Sequence, residues 1–91
     1  MSEETNPDTL ALHPDLVFRA AGDEGVAVDQ RKSEILVVNG LGLRVMQLVR
    51  AHGSRQAVLT ALLAEYEAPA ERIAADLDAF LDEMRQRDLL C

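Results

Sequence analysis

The chain has 91 residues, 48% of them hydrophobic but only 3% aromatic, with a formal net charge of −7. That length allows one domain with a modest aliphatic core, and its apolar content excludes whole-chain disorder. No stretch long enough to span a bilayer is free of charge, and the net negative charge opposes binding to nucleic acid or to anionic membrane surfaces.

Residues 1–14 read as a disordered acidic lead-in containing Glu3, Glu4, Asp8, Pro7 and Pro14. They lack the apolar region of a secretory signal. The single cysteine, Cys91, has no intramolecular partner, so no disulfide framework is expected, and the expected setting is cytoplasmic. The domain proper is expected over residues 15–91.

Three short β-like runs come first: Leu16–Arg19, Gly25–Asp29 and Glu34–Asn39. The segments between them have turn lengths and turn-compatible residues. Such connections predict an antiparallel meander with the third strand at an edge. Ile35 to Val38 is apolar without interruption, whereas proteins usually blunt an edge strand with charge or proline. Two readings follow: helices cover both faces of this strand, or its edge is a docking site.

From Leu41 the period becomes helical. Leu41, Val45, Leu48 and Val49 mark one face of a first helix, closed by Gly53. Ser54 is placed to cap a second helix, whose apolar residues are Val58, Leu59, Leu62, Leu63 and Tyr66. Pro69 begins a third, with Ile73, Leu77, Phe80, Leu81 and Met84 as its amphipathic stripe. The predicted fold class is α+β: a three-stranded antiparallel sheet followed by three helices, of winged-helix-turn-helix type.

Catalytic chemistry finds no footing in these residues. His13 lies in the lead-in, and His52 suits a favourable cation at a helix C-terminus better than a general base. No His or Cys spacing matches a dedicated zinc site. Gly40 and Gly42 lack the lysine and further glycines of a phosphate loop. The carboxylates Asp76, Asp78, Asp82 and Glu83 spread around a helix as a solvated surface. No enzyme, metal or cofactor is expected.

Three stretches carry a resemblance to a known family. Val38-Asn39-Gly40-Leu41-Gly42-Leu43-Arg44-Val45-Met46-Gln47-Leu48 is similar to the strand–helix junction of the PqqD-like family, also called RiPP recognition elements. Asp76 to Met84 is similar to its third-helix motif D-V-x-x-F-L-x-x-L, and Arg87-Asp88-Leu89-Leu90 to its terminal x-G-L-L/I. The sequence departs from the pattern at Leu41 (a small hydroxyl residue in the family), Met46 (a tryptophan) and Asp88 (a glycine).

The resemblance implies a domain that captures the leader segment of a ribosomally made precursor peptide. The leader would join as an extra strand along Glu34, Ile35, Leu36, Val37 and Val38, in a groove walled by the third helix. Two flanks of that helix are geometrically possible walls. Asp76, Phe80, Glu83 and Arg87, with Ala79, form the expected one, because Asp76 and Phe80 fall on the family motif; Ala74, Asp78, Leu81 and Arg85 form the other. Implied partners are the leader and a separate leader peptidase or other modifying enzyme. A peptidase resembling a cysteine transglutaminase would serve the free-standing lasso-peptide type favoured here, and a radical-SAM enzyme the PQQ type. The expected state is a monomer.

The competing classes are a DNA-binding winged helix and a homodimerising module joined through the same edge. Against DNA, the helix that would enter a major groove carries Asp76, Asp78, Asp82, Glu83 and Asp88, which opposes the dominant electrostatic term in binding.

Overall fold

The computed structural model describes residues 8–90, so Cys91 and residues 1–7 of the lead-in lie outside the described residues. Strands β1 (Leu16–Ala21), β2 (Glu24–Asp29) and β3 (Glu34–Val38) precede helices α1 (Gly40–His52), α2 (Arg55–Glu65) and α3 (Ala70–Gln86). The strands form one antiparallel sheet in the order β1-β2-β3. The fold is α+β and of winged-helix type, as the periodicity predicts.

Local chemistry fixes each junction. Gly22 has φ 64° in the two-residue β1–β2 connection, the positive φ that tight hairpin turns demand. In the β2–β3 turn, the Asp29 carboxylate accepts from the Arg31 backbone N–H at 3.0 Å. The Asn39 side chain caps α1 by accepting from the Gly42 N–H at 2.8 Å, and Gly53 closes it at φ 67°. Ser54 Oγ accepts from the Ala57 N–H at 3.2 Å and caps α2. At the end of α3 the Asp88 N–H donates to the Arg85 carbonyl and the Leu89 N–H to that of Met84. This Schellman pattern puts Asp88 in the left-handed region at φ 61°, the conformation that accounts for glycine there in the family pattern.

The core is aliphatic. Leu16 and Ala27 from the sheet, Val45 and Met46 from α1, Val58 and Leu62 from α2, and Leu77, Leu81 and Met84 from α3 are all buried. Gly25 and Ala27 are small because α1 lies directly over them; a Cβ on Gly25 would sit 2.9 Å from Leu43 Cβ. Arg44–Glu65 and Arg55–Asp78 pairs, at 2.7 and 2.8 Å, tie α2 to its two neighbours.

One expectation changes, and one of the two readings left open for β3 falls away. Disorder does not extend over residues 8–14. Leu10 is 3% exposed within the core, and its N–H donates to the Gly53 carbonyl. The Asp8 carboxylate accepts from Ser54 Oγ at 2.6 Å and from the Gln56 N–H at 3.0 Å. A buried leucine and a carboxylate at a helix N-terminus anchor this segment. Second, helices cover only one face of the sheet. The inner face carries Leu16, Phe18, Ala27, Leu36 and Val38, whereas Val17, Ile35 and Val37 on the outer face are 43%, 72% and 59% exposed.

Candidate functional site

A groove follows the free edge of β3, with α3 as its far wall. At one end Asn39, Leu41 and Gly42 face Asp76, Ala79, Phe80 and Glu83. In the middle Val37 and Val38 face Phe80 and Glu83. At the other end Glu34, Ile35 and Leu36 face Arg87 and Leu89, with Leu16 and Asp29 beneath. Strand and helix run in opposite directions, so Asp76 lies near the end of β3 and Arg87 near its start.

All ten residues singled out in the sequence border these three depressions, two of which share Asn39, Phe80 and Glu83: Glu34, Ile35, Leu36, Val37 and Val38 on the strand, and Asp76, Ala79, Phe80, Glu83 and Arg87 on the helix. The exposed Ile35 and Val37 belong to the outer face of the sheet and stand at the rim. The alternative flank is partly engaged elsewhere. Leu81 is 1% exposed in the core and Asp78 holds Arg55 of α2, whereas Arg85 makes only an exposed pair with Asp82 on its own helix.

Phe80 is the groove's central apolar feature, half-buried against the core. Its seat is made by Gly42: a Cβ there would lie 2.8 Å from Phe80 Cε1 and 3.0 Å from Val38 Cβ. Charged groups flank the ring. Asp76 lies 3.9 Å from Arg72, and Glu83 lies 3.6 Å from Arg87, exposed i,i+4 pairs that hold their partners loosely.

The Arg87 end is built more firmly. Arg31 reaches across from the β2–β3 turn, donating through Nε and Nη2 to the Asp29 carboxylate at 3.1 and 3.0 Å. It also donates to the Asp88 carboxylate at 3.2 Å and to the Asp88 carbonyl at 3.0 Å. These bonds pin the turn after α3 to the sheet. The Arg31 hydrogen bond lowers the Asp29 pKa against the opposing effect of burial, and the same pairing raises that of Arg31.

Asn39, Leu41, Gly42, Leu16, Asp29 and Leu89 also line the groove and were not among the expected site residues. Gly42 had only a weak signal: a glycine inside a helical pattern costs stability and so calls for a packing reason. Asp29 had none, because its position depends on the register of β2 against β3. Among the described residues, no three His, Cys, Asp or Glu side chains are grouped to hold a metal ion, and none of the helices is long and apolar enough to cross a membrane. His13 Nδ1 accepts from the Asp15 N–H at 3.0 Å, serving the turn before β1.

A three-stranded meander backed by three helices, with a free edge strand facing the last helix, defines a winged-helix domain with a strand-sized groove. The family model described as coenzyme PQQ synthesis protein D (PqqD) matches residues 24–90. The chain belongs to the PqqD family. Among solved structures, TbiB1 in complex with the TbiA(beta) leader peptide is similar at a TM-score of 0.78 and 22% identity, covering 87% of this chain and 92% of that one. A lasso peptide synthetase B1 complexed with its leader peptide is similar at a TM-score of 0.78 and 19% identity, covering 91% and 98%. No curated protein matches the sequence significantly.

Proposed function

We propose that this domain captures the leader segment of a ribosomally made precursor peptide as a fourth strand on the edge of β3, and presents it to a separate modifying enzyme or leader peptidase. The observation that carries this reading is the free apolar edge of β3 opposed across a groove by Phe80 and its charged neighbours. Backbone pairing would supply register and affinity, and the groove would supply selectivity. Two proteins of the same fold have been solved with leader peptides bound, which supports this reading and favours a lasso-type pathway. The domain's contribution would be effective concentration: it holds one part of the precursor while the partner acts on another.

The test is titration of the protein with a labelled leader from the precursor encoded nearest its own gene, followed by amide chemical shifts. Saturable binding is expected, with perturbations along residues 34–39 and 76–87. Its salt dependence should be mild, because backbone pairing and a few apolar anchors would supply most of the affinity. Absence of leader binding, or salt-sensitive binding to duplex DNA tighter than to the leader, would overturn the proposal.

A further inference from the structure

The strand register arranges the outer face of the sheet in cross-strand rows. Val17 pairs with Val28 and Val28 with Ile35; Arg19 pairs with Val26 and Val26 with Val37. Directly paired residues share a face, so each set forms one row across all three strands. Both rows end on β3 in an apolar side chain, and those ends, Ile35 at 72% and Val37 at 59%, are more exposed than Val17 at 43%. The inner rows end on the same strand in Glu34, Leu36 and Val38. The edge strand is therefore apolar on both faces, and only its inner face is met by a helix.

We infer that the peptide is read on both faces: two of its residues, spaced two apart, complete the outer rows beside Ile35 and Val37, and the residue between them turns inward beside Leu36 toward the groove. This inference rests on the proposed addition of the leader to β3. The alternation of side chains holds whichever direction the added strand runs. The recognised segment is thus three consecutive apolar residues, with β-branched or aromatic side chains at the outer two positions, where cross-strand pairing favours them. An alternating apolar–polar strand would fill the groove and leave Ile35 and Val37 in water.

The test pairs variants of the protein with a scan of the peptide. Ile35→Thr and Val37→Thr keep the β-branched shape that suits a strand while removing apolar surface. Val17→Thr makes the same change on the same face but on the far strand. Leader affinity should fall about two- to five-fold for each β3 variant, the span expected for one cross-strand pair, and should not change for Val17→Thr. Serine substitution along the leader should show sensitivity at three adjacent positions. Unchanged affinity in the β3 variants, or sensitivity at alternate positions only, would overturn two-faced reading while leaving strand addition intact. An equal loss for Val17→Thr would also overturn it, since the effect would not be local to the edge. If the unaltered protein binds no leader at all, the underlying proposal fails and this inference with it.

Discussion

Gly42→Ala tests how the groove is made. The added Cβ would meet Phe80 Cε1 at 2.8 Å, Val38 Cβ at 3.0 Å and Asn39 Oδ1 at 3.4 Å. Alanine is the better helix former, by up to about 1 kcal/mol. Overpacking a well-filled site costs ~1–3 kcal/mol. The net expectation is a loss of about 0–2 kcal/mol, because the Val38 backbone is held in the sheet and only the Phe80 ring can yield. A ring that yields moves outward into the groove, so leader affinity should drop about ten-fold, or ~1.4 kcal/mol. The same substitution in a Phe80→Ala background should cost less, since the shortest of the three contacts is gone. A coupling of about 1 kcal/mol is expected in a double-mutant cycle measured by chemical denaturation. Thermal melts and peptide titrations of the four proteins complete the assay. Equal costs in both backgrounds would show that the ring does not rest on Gly42, and the reasoning would fail.

Proline at Leu36 and at Val37 should separate binding from folding: adjacent amides on a strand point to opposite edges, so one proline removes a donor to the leader and the other a donor to β2. Titration and melting of both should show one variant that binds poorly but melts normally and one that is destabilised. Asp76→Ala should weaken the leader complex while shifting the melting temperature little, as exposed side chains contribute little to folding; a large shift with unaltered affinity would make Asp76 structural. Deleting residues 1–14 should cost at least the burial of Leu10, about 2–3 kcal/mol, read by urea denaturation. The carboxylates of Asp29, Glu65 and Asp78 are lowered in pKa chiefly by hydrogen bonds from Arg31, Arg44 and Arg55. Their folded pKa values lie below the unfolded ones, so their stabilisation is present at neutral pH and is lost as pH falls through and below the ordinary carboxylate range. Arg55→Ala should flatten that acid-side loss in a pH series of denaturation curves.

The elements were legible because their signals are local. Turn residues separate the three strands, Gly53 and Ser54 punctuate α1 and α2, and the stripe Ile73, Leu77, Leu81, Met84 needs only helical periodicity. For the helical wall, spacing offered two flanks, and only the resemblance of Asp76 and Phe80 to the family motif chose between them. What escaped depends on contacts distant in sequence. Leu10 looks like part of a polar tail until α1 and α2 provide a seam for it. Arg31 and Asp88 are an unremarked pair until the β2–β3 turn meets the end of α3, 57 residues away. The bare outer face escaped for another reason. A continuous apolar run such as Ile35 to Val38 reads the same whether two layers cover it or one.

The clasp between the lead-in and the segment after α3 has an architectural consequence. Leu12 bridges Leu90, and the His13 N–H donates to the Leu89 carbonyl at 2.9 Å, so the two stretches bracketing the sheet and helices lie side by side. A module entered and left at a single point can be spliced into a surface loop of a larger protein without prying its layers apart. Leu89 also lines the Arg87 end of the groove, which puts the splice next to one mouth of the channel. A host joined there would stand beside that end of the groove, and the length of the two joining linkers would set its distance from it.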